Sequence, residues 1–210
     1  FKVGDTFNIS LRVDKILKYK LAICRDYAKL TAVLLHNLFS NSQIYFISIP
    51  RHVAAGIEIN KKLYILDQKL PVLTLDTWLK VWNRKTATIY QLKVFDSKNK
   101  KKLKLEKCRI AKITDPSINV DIEKLSDEVD KLLKIDQKRR TQKTSVFKIP
   151  ILISKLAKCY DNDEIVIHSI ARAIKLRLEN ELCSNFENIE KIEIKQDEED
   201  LIVFAYLRNK

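Results

Sequence analysis

Three residues in the first third of the chain, Cys24, His52 and Asp67, carry the side chains of a cysteine-nucleophile site. In such a site a thiolate attacks a carbonyl carbon, an imidazole accepts the thiol proton, and a carboxylate orients the imidazole. The three can act together only where the fold brings them within hydrogen-bonding reach. The elements that hold each residue therefore decide whether this chemistry is available.

Cys24 stands at the start of a predicted helix over residues 24–39, because apolar residues recur at helical spacing and a Ser-Asn-Ser run follows. Unpaired N–H groups at a helix N-terminus favour negative charge, so a thiol placed there ionises more readily. The same N–H groups could bind the oxyanion of a tetrahedral intermediate. We expect the apolar face of this helix to consist of Tyr27, Leu30, Thr31, Leu34, Leu35 and Leu38.

Three strands are predicted after this helix, over residues 44–49, 52–59 and 63–67, from their β-branched and apolar composition. Asn60 and Lys61, between the second and third strands, fit a two-residue hairpin turn. The second and third strands are therefore expected to pair as a hairpin.

That turn sets a register in which His52 lies opposite Lys69 and Asp67 is its diagonal neighbour on the same face. Diagonal neighbours have backbone positions roughly 7–8 Å apart, within reach of an imidazole and a carboxylate. A slip of one residue would move Asp67 to the opposite face. Ala54 and Gly56 share the His52 face, and their small size is expected to leave room for the preceding helix.

The other histidines and cysteines are not expected to take part. His36 falls more than three turns into the helix of the candidate thiol, and His168 lies in a predicted C-terminal helix. Cys108, Cys159 and Cys183 lie in apolar patterns and are expected to be buried small hydrophobes. No cysteine pair has the spacing of a zinc knuckle and no calcium-loop pattern occurs, so neither a metal nor another cofactor is predicted.

The chain divides at the Asp-Pro-Ser boundary of residues 115–117 into a core domain, residues 1–115, and a C-terminal region, residues 116–210. The core domain is predicted to be α+β, with a helix packed on a mostly antiparallel sheet. Its later elements are predicted to be a helix over 74–84 and strands over 86–95 and 103–113.

The C-terminal region is predicted to be mostly helical with a closing hairpin. Its role is not indicated by any motif. The expected elements are helices over 122–135, 149–160 and 164–183, a polar linker over 136–145, and strands over 189–194 and 201–207.

The net charge is +13, from 40 basic and 27 acidic residues, which raises the possibility of a nucleic-acid partner. The densest basic run, Lys98 to Lys107, surrounds a predicted hairpin turn without the interleaved aromatic residues that base stacking requires. We interpret it as a solvated edge. The charge then favours an acidic protein or peptide as partner.

No apolar stretch approaches the roughly 18 residues that would span a bilayer, so no transmembrane segment is predicted. The chain begins with Phe and contains no Met, and residue 1 is therefore not expected to be the natural start. The sequence leaves open whether a leader, an anchor or a further domain precedes residue 1. The need for a free thiol favours a reducing compartment such as the cytoplasm.

Three segments together resemble the transglutaminase-like superfamily, and in particular an archaeal transglutaminase-like family. They are the helix start Cys24-Arg25-Asp26-Tyr27-Ala28, the strand start His52-Val53-Ala54-Ala55, and the strand end Leu63-Tyr64-Ile65-Leu66-Asp67. The resemblance covers about residues 20–85. It implies a papain-type α+β core with Cys24 as nucleophile, His52 as base and Asp67 as orienting acid.

The chain departs from the family pattern just before the helix, where many members have Gly two residues ahead of the Cys and this chain has Ala22-Ile23. A second oxyanion donor is expected upstream, with Tyr19 and Asn8 as the candidates. Gln68 follows the acid and is a candidate for substrate contact.

Three functions are consistent with these features. The first is a cysteine hydrolase or acyltransferase that acts on peptide or glutamine amide bonds through a thioester acyl-enzyme, with hydrolysis favoured because water is always available. The second is an inactive protein-binding scaffold of the same fold. The third is a nucleic-acid-binding protein, whose binding would weaken steeply with salt.

Overall fold

The computed structural model describes residues 13–19, 22–97, 100–112, 119–135 and 146–208. Helices and antiparallel sheets occur together, which confirms the predicted α+β class. The chain divides into two compact units. The first contains the described residues up to 69 and from 74 to 112, and the second contains residues 70–73 and the described residues from 119 onward.

The first unit is built on a six-stranded sheet with the order β4-β3-β2-β1-β5-β6. Its strands are β1 (Ile44–Ile49), β2 (His52–Ile59), β3 (Lys62–Leu66), β4 (Leu73–Thr74), β5 (Thr86–Ser97) and β6 (Lys100–Lys112). Its described helices are α1 (Val13–Tyr19), α2 (Cys24–Leu38) and α3 (Leu75–Val81). Helix α2 packs against β2 and β1.

The turn between β2 and β3 has the predicted register, with Ile59 paired to Lys62. Asn60 and Lys61 have φ angles of 50° and 64°, which are the two left-handed conformations that a type I′ hairpin turn requires. The turn between β1 and β2 is equally short, so His52 is paired with Ile49 at the start of β2. Both ends of the His52 strand are therefore fixed by tight turns.

The apolar face predicted for α2 is wrong at three of its six positions, although Leu35 is buried as expected. Tyr27, Leu34 and Leu38 are 38%, 52% and 73% exposed, whereas Ala28 and Ala32 are buried. A helix that presents alanines to a sheet can approach it more closely than one that presents leucines. Local periodicity identifies the helix, but the distance between helix and sheet decides which side is buried.

The three atoms nearest to the space beside Gly56 belong to the neighbouring strands. A Cβ atom at this position would lie 2.6 Å from Ile47 Cδ1 and 3.0 Å from the Tyr64 carbonyl oxygen. Ile47 is fully buried, so its side chain has little freedom to move away. Gly56 thus lets a side chain of the neighbouring strand cross the face of β2.

The second unit contains a three-stranded antiparallel sheet with the order β7-β9-β8. Two helices, α4 (Ile122–Leu133) and α5 (Glu164–Leu182), pack against each other, α4 against β8 and α5 against β7. The strands are β7 (Val146–Ile153), β8 (Ile189–Asp197) and β9 (Asp200–Arg208). The Val72 N–H donates to the Ser169 hydroxyl at 2.6 Å, which ties the segment of residues 70–73 to this unit.

The predicted helix over residues 149–160 is wrong. Residues 146–153 form strand β7, followed by a short 3₁₀ turn at Ala157–Cys159. Ile151 is buried while Pro150 and Leu152 are exposed, which is the two-residue period of a strand. Pro150 lacks the N–H that a helix interior needs, but an edge strand tolerates it.

Three predicted features lie outside the described residues: the boundary at 115–117, the linker at 136–145, and the tip of the lysine-rich turn at 98–99. Of the helices that are described, none is long and apolar enough to cross a membrane.

Replacing Gly56 by Ala is expected to destabilise the first unit by about 1–3 kcal/mol, because the added methyl group overlaps a buried neighbour. Urea unfolding measures the cost. Ile47→Val removes the atom at 2.6 Å, so G56A should cost less in the I47V background than in the wild-type chain. An equal cost in both backgrounds would contradict the packing described here.

Candidate active site

Cys24 is the first residue of α2, and its side chain is half-buried. Ile23 precedes it in an extended conformation and offers no side-chain acceptor for the helix N–H groups. The Asp26 carboxylate accepts a hydrogen bond from the Ile23 N–H at 3.3 Å and so fixes the entry of the chain into the helix. The thiol is held by a helix that begins without a Ser, Thr or Asn cap.

His52 and Asp67 are in direct contact. The His52 Nε2 atom lies 2.8 Å and 2.9 Å from the two carboxylate oxygens of Asp67. The two side chains are 8% and 17% exposed, so the contact is largely shielded from water. When Nε2–H donates to the carboxylate, the neutral imidazole keeps a free lone pair on Nδ1, the form that can accept a thiol proton.

Asp67 accepts further hydrogen bonds around the same carboxylate. The Trp78 indole N–H donates to Oδ2 at 2.8 Å, the Trp82 indole N–H approaches Oδ2 at 3.3 Å, and the Gln68 N–H donates to Oδ1 at 2.8 Å. Burial alone would raise the pKa of Asp67, but the hydrogen bonds from His52, Trp78 and Gln68 bring that pKa below its ordinary value of 3.8. The group is therefore a carboxylate at neutral pH.

Trp82 also packs on the imidazole. The two ring centroids are 4.1 Å apart with an angle of 24° between the planes, and Trp78 flanks His52 with a centroid distance of 6.0 Å. Trp78 is 1% exposed and Trp82 is 41% exposed. The imidazole is thus held by a carboxylate at one nitrogen and by an indole across its face.

Trp78 and Trp82 are not among the residues predicted for the site, although both indoles lie within hydrogen-bonding distance of the acid. Their spacing in the sequence indicates a shared acceptor. Residues four apart lie on one helix face, and a buried indole N–H requires an acceptor. Trp78 lies in α3 and Trp82 is its C-cap, and this helix comes after strand β3, which ends just before Asp67. The candidate acid was therefore one available acceptor for these indoles, beside Asp76 in the helix itself.

Cys24 and His52 line one cavity of about 540 Å³. The structure therefore brings the candidate nucleophile and base to the same space, with Asp67 behind the base. Its apolar lining comes from β1, β2, β5 and β6, and consists of Phe46, Ile49, Val53, Tyr90, Leu92 and Leu105. Its charged lining consists of Arg25, Lys29 and Arg51.

The burial predicted for the other three cysteines is confirmed for one of them and wrong for two. Cys159 is buried as expected, and burial raises the pKa of its thiol to about 11. Cys108 and Cys183 are exposed, so the prediction that they are buried is wrong. His168 is paired with Glu128 at 2.6 Å within the second unit.

Two other expectations concern ligands and oxyanion donors. Within the described ranges, no group of three or more His, Cys, Asp or Glu side chains could hold a metal ion. Asn8 and the side chain of Tyr19 lie outside the described part of the chain.

Residues 3–95 match a family model described as a transglutaminase-like domain. A UPF0252 protein of Methanocaldococcus jannaschii is 38% identical over 202 residues, which are 94% of this chain and 55% of that protein. A UPF0252 protein of Pyrococcus horikoshii is 42% identical over 79 residues, which are 34% of this chain and 25% of that protein. The chain thus spans about half the length of the first relative. No solved structure matches the chain.

Asp67→Asn is expected to lower the free energy of unfolding by about 1–3 kcal/mol at pH 7, because a hydrogen-bonded carboxylate is lost. A lowered pKa means that the carboxylate contributes stability above pH 3.8, and that this contribution is lost as the pH falls through the folded-state pKa. The difference between wild type and variant in urea unfolding should therefore shrink from pH 7 to pH 3. Asp197→Asn, at an exposed position of β8, serves as control. A difference that stays constant with pH would contradict the assignment.

Trp78→Phe is expected to raise the pKa of Asp67 toward its ordinary value, since the variant keeps an aromatic ring and loses the N–H donor. Carboxyl-carbon NMR titration of the folded protein measures this pKa directly. Trp82→Phe is the matched control, and its effect should be smaller because that indole N–H is 3.3 Å from the carboxylate. Equal shifts in the two variants would show that the donor at 2.8 Å is not the one that matters.

Proposed function

The chain carries a transglutaminase-like domain over residues 3–95, and on that premise we propose that it is a cysteine hydrolase or acyltransferase. It would act on peptide or glutamine amide bonds through a thioester acyl-enzyme, with hydrolysis favoured. The observation that carries the proposal is that the paired His52 and the helix-start Cys24 line one cavity. The substrate and the activity of any longer parent protein are part of the proposal.

In the first step the Cys24 thiol gives its proton to Nδ1 of His52, and the thiolate attacks the carbonyl carbon of the amide. The carbonyl oxygen becomes an oxyanion beside the N-terminal turn of α2, where helix N–H groups favour negative charge. Collapse of this intermediate breaks the carbon–nitrogen bond. The imidazolium returns its proton to the departing amine, and the acyl group remains on sulfur as a thioester.

In the second step an acceptor attacks the thioester carbon while His52 removes its proton. Water as acceptor gives a carboxylic acid, and an amine gives a new amide. The sulfur then leaves and takes back its proton, which restores the Cys24 thiol. Water is favoured as acceptor because nothing in the chain marks a site for a lysine substrate.

Asp67 has two tasks in this scheme. As a carboxylate it keeps the imidazole proton on Nε2, and it stabilises the imidazolium that forms in each step. The indole of Trp82 stacks on the ring and restricts its rotation. Substrates would therefore meet an imidazole that is already oriented.

Cys24 is expected to react with limiting iodoacetamide at least about tenfold faster than Cys108 and Cys183 below pH 7, as an activated thiolate would. Mass spectrometry after labelling from pH 4 to 9 measures all sites in one sample. The two exposed cysteines are internal references for an ordinary accessible thiol.

His52→Ala should remove most of this advantage while leaving the two reference cysteines unchanged. If Cys24 labels no faster than the references at any pH, the nucleophile proposal fails and the inactive scaffold becomes the better account of the fold.

A further inference from the structure

We infer that the cavity beside Cys24 accepts an acyl group with a bulky apolar side chain next to the scissile amide, flanked by an acidic residue. The inference rests on the proposed function, because it names the substrate class of that same site. It selects peptide bonds over glutamine side-chain amides.

The first argument is the size and lining of the cavity. Its volume of about 540 Å³ is in the range of sites that enclose a ligand group. Six apolar or aromatic residues, from Phe46 on β1 to Leu105 on β6, line it beside the thiol and the imidazole. Such a surface gains most when an apolar group displaces water from it.

The second argument compares the two acyl donors. A glutamine that reacts through its side-chain amide brings only two methylene groups next to the carbonyl. Most of the apolar lining of the cavity would then stay in contact with water. A peptide bond that follows leucine or phenylalanine brings a whole apolar side chain to the same place. Because the acyl group stays bonded to Cys24 in the thioester, we assign the cavity lined by Cys24 to the acyl side of the substrate.

The third argument is charge. Arg25, Lys29 and Arg51 contribute to the lining, and none of the lining residues that the structure describes is an Asp or Glu. The charged side chains of the lining are thus all cationic, which favours a carboxylate over an amine on the substrate. Arg51 immediately precedes His52, so this positive charge is close to the reacting groups.

Three peptidyl chloromethyl ketones test the inference on the whole chain by the rate at which each alkylates Cys24. They are acetyl-Ala-Glu-Leu, acetyl-Ala-Glu-Gly and acetyl-Ala-Lys-Leu chloromethyl ketone, and each rate is divided by that of iodoacetamide. The Leu reagent should react about tenfold or more faster than the Gly reagent. The Lys-containing reagent should react severalfold more slowly than its Glu counterpart at low salt, and this difference should shrink as salt is added.

Two variants on β6 test whether the cavity causes the preference for the Leu reagent over the Gly reagent. Leu105 lines the cavity and is 48% exposed, whereas Ile110 is 64% exposed and does not line it. Leu105→Glu should abolish most of the preference for Leu over Gly, while Ile110→Glu should leave it intact. Both changes place a carboxylate at an exposed position of the same strand, so a general loss of folding would affect both.

The outcomes separate the two proposals. If Cys24 is selectively labelled by iodoacetamide with His52 dependence, but the Leu and Gly reagents react alike or the two β6 variants behave alike, the substrate inference is overturned and the proposed function stands. Absence of the charge preference overturns it as well. If iodoacetamide shows no selective thiol, the proposed function fails and the inference fails with it.

Discussion

The register of the β2–β3 hairpin is the constraint on which the candidate site depends. Two consecutive residues, Asn60 and Lys61, adopt left-handed conformations and close the turn in two residues. Side chains alternate between the faces of a strand, so a shift of one position would carry Asp67 away from His52. The contact of 2.8 Å between them is thus the product of a turn several residues away.

At Asp67 two opposing effects meet. Burial disfavours a charged carboxylate, yet donors from a strand residue, the following backbone and α3 outweigh that penalty. This balance makes the site depend on α3 and its C-cap, because Trp78 and Trp82 contact the acid and flank the imidazole. A helix that contributes no proposed nucleophile or base nevertheless controls the charge and the orientation of the pair.

How far the sequence predicts this arrangement depends on whether the deciding contacts are local. The bounds of β1 and β2, and the pairing of β2 with β3, follow from composition and turn residues, and the structure confirms them. The contacts of the two tryptophans with Asp67 could not be derived in the same way, because they require the position of α3 relative to the hairpin. The strand at Val146–Ile153 was missed because its apolar spacing also fits a helix. Its partners on β9 lie 48 to 62 positions later in the chain, as the differences 201 − 153 and 208 − 146 give.

The wrongly predicted face of α2 explains how a nucleophile can reach this sheet. Leucines usually mark the buried side of a helix because they remove the most apolar area from water. In α2 Ala28 and Ala32 are buried together with Leu35, while Leu34 and Leu38 are 52% and 73% exposed. The helix gives up apolar burial and gains a close approach to β2 and β1, so that its first residue lines the same cavity as His52. For an element that must deliver a thiol to a base, its distance from the sheet matters more than the apolar area that it buries.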